Sequence, residues 1–94
     1  MGTITKIEKE DIPSLSFKKD EVLINQEQLT KRKVNLAKAM TLGNGQKRKV
    51  KIFFMVENGD SKVVHTTIWA VGQEYVTLKA GVFIPVQAIN EIEF

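Results

Sequence analysis

The sequence contains no cysteine. That absence excludes a disulfide framework, a thiolate zinc site and a cysteine nucleophile together. Histidine is almost missing too: His65 is the one imidazole in 94 residues, so no second histidine can share a metal with it. Long apolar runs are lacking. No segment approaches the roughly 18–20 apolar residues of a membrane span. The opening MGTITKIEKEDIPS holds no apolar stretch of signal-peptide length either, so the cytoplasm is the expected location. One charge sign is absent from a whole region, since no acidic residue occurs between Gln28 and Val56.

What fills that region is positive charge. Lys31, Arg32, Lys33, Lys38, Lys47, Arg48, Lys49 and Lys51 are eight of the fourteen basic residues of the chain. The formal net charge is only +3 because both flanks carry more acid than base. Such an asymmetry is the footprint of a nucleic-acid or acidic-partner surface, and equally of a solvated helix face followed by an exposed strand edge. Hydrophobic residues at 43% and charged ones at 27% are those of an ordinary globular chain. A chain of 94 residues has material for one core only.

Residues 1–24, interrupted by Pro13, read as a partly ordered N-terminal arm with short apolar pairs such as Ile12 with Leu15. A helix is expected over about 25–42. Asn25 with Gln28 three residues on has the capping-box pattern, and Gly43 in Leu42-Gly43-Asn44-Gly45 reads as its stop signal. Leu29, Leu36 and Met40 fall on one face of it, Lys31 and Lys38 on the other.

From Lys47 the hydrophobic period changes to 2: Val50, Ile52, Phe54 and Val56 alternate with Lys49, Lys51, Phe53 and Met55. Asn58-Gly59 supplies a tight hairpin turn into a second strand over about 62–71. A third strand spans Tyr75 to Lys79, and Ala80-Gly81 turns into a short fourth, Val82 to Ile84. Proline has no N–H for a ladder, so Pro85 ends that strand; Val86-Gln87-Ala88 suits one 3₁₀ turn before a fifth strand, Ile89 to Phe94. The fold class expected is mainly β (α+β), a helix followed by a five-stranded, bent antiparallel small barrel over about 47–94, with residues 25–94 forming a single domain.

The segment VKIFFMVENG…TTIWAVGQEYVTLKAGVFIPVQAINEIEF resembles the small-barrel class that contains SH3-like and Sm-like domains. With a helix ahead of the strands it is most similar to the Sm-like arrangement, including bacterial Sm-like RNA chaperones and the Sm-like protein that binds the Rho termination factor. The Lys-His pair by which those chaperones contact uridines would fall at Val86 and Gln87, so that pocket is not carried over. The whole sequence also resembles a group of short bacterial proteins that share a helix ending in LGN, a basic strand and a WA…LK.G…IP ending, a resemblance that implies no activity.

An enzyme needs convergent titratable groups. His65 lies mid-strand between Val64 and Thr66, as a packing residue would, and Glu91 with Glu93 alternates on the last strand as a solvated face would. Leu42 to Lys47 follows a helix, whereas phosphate loops precede one. Phe53 is expected to seat the helix and Trp69 to fill the core or its rim. The expectation is therefore a non-enzymatic protein without cofactor or metal. It would bind RNA or another single-stranded nucleic acid through Lys31, Arg32, Lys38, Lys47, Arg48, Lys49 and Lys51, with Tyr75 offered for stacking. The alternative is a protein-interaction module of SH3-like or Rho-binding type whose basic face docks an acidic protein partner. Oligomerisation through the fourth and fifth strands is compatible with either.

Overall fold

Asn25 opens the helix as its side chain predicts. In the computed structural model, which describes residues 4–94, Asn25 Oδ1 accepts the Gln28 N–H at 2.7 Å, and α1 runs Gln26–Gln46. Its buried positions are Arg32, Leu36, Ala39 and Gly43, spaced four, three and four apart as one face of a helix must be. Gly43 does not end it. The chain leaves the helix at Lys47, in the left-handed conformation at φ 53°, where the N–H groups of Lys47 and Arg48 donate to the carbonyls of Gly43 and Leu42. Gly43 instead lets the helix backbone approach the next layer: a Cβ there would overlap the carbonyl oxygen of Ile68.

The strands are β1 Thr5–Ile7, β2 Val50–Met55, β3 Ser61–Thr66, β4 Ile68–Val71, β5 Tyr75–Leu78, β6 Phe83–Pro85 and β7 Ile89–Glu93. The β2–β3 hairpin turns where Asn58-Gly59 predicts, with Gly59 at φ 93° and Asn58 Oδ1 accepting the Asp60 N–H at 2.9 Å. In β2 the alternation holds, for Val50, Ile52 and Phe54 are buried and Lys51 is exposed. A 3₁₀ turn at Val86–Ala88 precedes β7, as expected of the residues after Pro85.

The five-stranded closed barrel is not what forms. The strands make a four-stranded sheet, β1-β3-β2-β7, and a three-stranded sheet, β4-β5-β6. The expected second strand is two, broken at the buried Thr67, and the chain changes sheets there. Two features keep the sheets separate. β1 pairs in parallel with β3 and occupies its outer edge, and the turn at 86–88 rotates the chain so that β6 and β7 lie in different sheets. The result is an α+β fold whose core, including Phe54, Ile52, Ile68, Leu78, Ile84 and Ile89, lies between the elements.

The helix packs against β4 and β7. Phe53 is therefore not its seat. That ring lies half-buried on the other face of β2, sharing a depression with Ile4, Lys6, Val63 and His65. Residues ahead of the helix add to the core from the opposite side. A 3₁₀ turn at Lys9–Ser14 places Ile12 at 1% exposure, and Phe17 sets its ring 5.5 Å from that of Phe54. Gln87 is held in the same contact, its side-chain amide donating to the Lys18 carbonyl at 3.2 Å while its own carbonyl accepts the Val22 N–H at 3.0 Å.

Candidate nucleic-acid interface

The basic residues that adjoin one another in sequence are dispersed by the fold over several surfaces. Arg32 is buried and committed: Nη1 and Nη2 donate to the two carboxylate oxygens of Glu21 at 2.6 Å each, and Nη1 also donates to the Ile89 carbonyl at 3.0 Å. Its end-on fork is thus taken by Glu21, and the side chain is 7% exposed. The same bonds hold the Glu21 carboxyl below the usual carboxylate range, the Arg32 hydrogen bond being the chief cause and partial burial opposing it. Lys38 lies over the Phe94 ring at 4.6 Å from its centroid, and Lys31 borders a polar depression that also contains Glu91. Lys51 sits cross-strand between His65 and Glu93, with its ammonium 3.6 Å from the Glu93 carboxylate.

Two of the predicted lysines do converge, and on residues the sequence did not connect with them. Lys47 and Lys49, in the segment between α1 and β2, line an open depression of about 350 Å³ together with Trp69, Lys79, Asn44, Thr67 and Gly43. None of these seven is acidic. Arg48 is exposed between the two lysines. Lys79 arrives there from the turn after β5, where its N–H donates to the Thr67 carbonyl at 3.0 Å.

Trp69 is not a core residue; it is 46% exposed. Alternation turns it outward from the buried Ile68, and a break in register turns the next residue outward as well. β4 pairs Ile68 with Leu78 and then Ala70 with Thr77, so Trp69 is an extra residue in the ladder, and both Trp69 and Ala70 are exposed while Ile68 is buried. Tyr75 is exposed, as expected, and its ring meets that of Phe83 edge-on, 6.3 Å between centroids. Val76 and Ile84, the inward pair of those strands, are fully buried, so Tyr75 and Phe83 share the outer face of the three-stranded sheet. Alternation alone places Phe83 on that face; no local pattern announces the bulge at Trp69 or the arrival of Lys79.

Among the described residues no group of three metal-ligating side chains is close enough to hold an ion, and no helix is long and apolar enough to cross a membrane. His65 stands exposed on the outer face of the four-stranded sheet beside Lys51, and no carboxylate lines the depression it borders. Comparison with protein-family models, with curated proteins and with solved structures finds nothing that matches this chain.

Proposed function

We propose that this chain is a non-enzymatic nucleic-acid-binding protein, and that its ligand is RNA or single-stranded DNA. The observation that carries the reading is the depression in which Lys47, Lys49 and Lys79 surround the exposed Trp69 with no carboxylate among the lining residues. Cations that neutralise phosphates next to an exposed aromatic ring are the two components that single-strand binding requires. Within this reading the two sheets are the halves of an opened small barrel of the SH3-like or Sm-like kind. What supports that is the pairing of β2 with β7, first with last of the strands after the helix, and the 3₁₀ turn ahead of β7.

The test is fluorescence anisotropy with labelled single-stranded RNA, single-stranded DNA and duplex DNA at about 50 and about 200 mM salt. If Lys47, Arg48, Lys49 and Lys79 each meet one phosphate, the log–log salt slope on a single strand is about −3. Absence of binding at the lower salt rejects the reading.

A second reading, a protein-interaction module, has one observation in its favour. Leu29, Met40, Val71 and Val86 line a largely apolar groove of about 620 Å³ between α1 and the β4–β5 turn, with Lys33 among its lining residues. Retention of an acidic protein partner by a chain that ignores all three nucleic acids would select it.

A further inference from the structure

The lysines explain attraction to phosphate, but they do not explain Trp69 beside them or the two further exposed rings of its sheet. Trp69, Tyr75 and Phe83 are 46%, 55% and 55% exposed, and they belong to the three strands of one small sheet. The residues between them on the outer face are small or neutral: Ala70 pairs with Thr77, Thr77 with Phe83, and Tyr75 with Pro85. This face therefore carries rings and no charge of its own, while Lys79 and the Lys47–Lys49 pair stand beside Trp69 at one side of it. Glu74, in the β4–β5 turn next to Tyr75, is the nearest acidic residue in sequence to any of these positions. Three large exposed rings on one sheet face are the kind of feature from which a binding surface is built.

We infer that the outer face of the β4-β5-β6 sheet is a base-stacking platform that takes an unpaired strand, one base on Trp69 and another on the Tyr75–Phe83 pair, with the backbone phosphates on Lys47, Lys49 and Lys79. This rests on the nucleic-acid reading above and adds to it the part of the ligand that is recognised. Charge complementarity sets the occupant: the cationic side calls for an anion, and the flat rings call for planar groups, which single-stranded nucleic acid carries together.

Access to base faces disfavours the duplex. β4 and β6 are two ladder steps apart, about 10 Å, whereas stacked bases advance about 3.4 Å along a strand. That span is about three stacking steps, so what selects the ligand is the need for a free base face at each ring. In a duplex each base is also covered on both faces by its neighbours, so only an unpaired strand presents faces to the rings.

The chain holds a single tryptophan, which makes its fluorescence a local reporter of one of the two stations. The experiment titrates the full chain with single-stranded dodecamers of oligothymidine and of oligouridine, with an abasic phosphodiester of the same length, and with a twelve-base-pair duplex. Anisotropy is followed alongside Trp69 emission. The inference expects quenching by the base-bearing strands alone, and affinity for them about ten-fold or more above that for the abasic strand, the worth of one base–aromatic stack. Trp69→Ala is expected to remove most of that margin and Trp69→Phe to keep it, while Tyr75→Ala with Phe83→Ala removes the remainder.

Equal affinity for base-bearing and abasic strands, with the salt slope intact, would overturn the platform and leave the phosphate-binding reading standing. Binding without quenching would do the same. No binding of any strand at low salt would end both. Association of the chain with itself that is lost in the Tyr75→Ala, Phe83→Ala double variant, without strand binding, would assign the face to a second copy and also overturn the inference. The rings are about half exposed, so each variant is compared only if its circular dichroism spectrum and urea midpoint match those of the native chain.

Discussion

The guanidinium of Arg32, in the second turn of α1, donates two hydrogen bonds of 2.6 Å to Glu21, so that a helix and the segment preceding it are tied through one bidentate pair. Arg32 is 7% exposed on its side chain and Glu21 36%, an asymmetry that decides what each contributes. The charge that is stranded when the pair is broken is the buried one.

Replacing Glu21 by Ala is accordingly expected to destabilise the chain by about 1–3 kcal/mol, because Arg32 keeps only the Ile89 carbonyl as partner, and Glu21→Gln, whose amide oxygen still accepts one bond, by less. Urea unfolding checks this. The pH dependence follows from the lowered Glu21 pKa. A carboxylate held below its unfolded value of about 4.5 contributes its full stability above that pH and loses it as pH falls through the folded value. The difference between the native chain and Glu21→Gln should therefore be largest near pH 7 and shrink steadily below pH 4.5. A difference that is flat with pH would refute the pair's role.

Two glycines of the same helix should respond in opposite directions. At Gly43 an added methyl meets the Ile68 carbonyl oxygen, which is backbone and cannot swing away, so Gly43→Ala should cost about 1–3 kcal/mol by lifting α1 from β4. At Gly45 an added methyl meets nothing within 4 Å, and Gly45→Ala should stabilise by about 0.4–1 kcal/mol. Thermal unfolding of the two variants side by side reads the signs.

Ile12→Ala tests whether residues ahead of the helix belong to the core. Ile12 is 1% exposed in the main cluster, and its truncation should cost about 2–5 kcal/mol by guanidinium unfolding. A cost below about 0.5 kcal/mol, the usual range of a surface change, would show that this turn does not pack as described.

Among the lysines, Lys79→Gln and Lys51→Gln should part company. Lys79 lines the depression around Trp69, whereas Lys51 is on the other sheet beside Glu93. Lys79→Gln is expected to weaken single-strand binding and reduce the salt slope by about 0.7, and Lys51→Gln to leave the slope as it is. Equal effects would mean that net charge alone attracts the ligand.

What the sequence by itself determined is what neighbouring residues decide among themselves. Asn25 caps the helix because its side-chain oxygen reaches the backbone N–H three residues on, the alternation of Val50 to Met55 sets which face of β2 is buried, Asn58-Gly59 makes the hairpin, and Pro85 ends β6 at its ring. Each of these depends on steric and hydrogen-bonding constraints within a few residues, and each was legible. Of the candidate site, Lys47, Lys49 and the exposure of Tyr75 were legible on the same terms.

Only the tertiary structure decided the rest. Gly43 reads locally as a stop, yet it is inside the helix because Ile68 approaches it, and Arg32 reads as a free cation, yet it is consumed by Glu21. The division into two sheets depends on β1 reaching the edge of β3, fifty-seven positions away in register, and the candidate site on Lys79 reaching Lys47 and Lys49. Contacts between residues so far apart are chosen by how the whole chain buries its apolar faces, and a window of sequence carries no record of that competition.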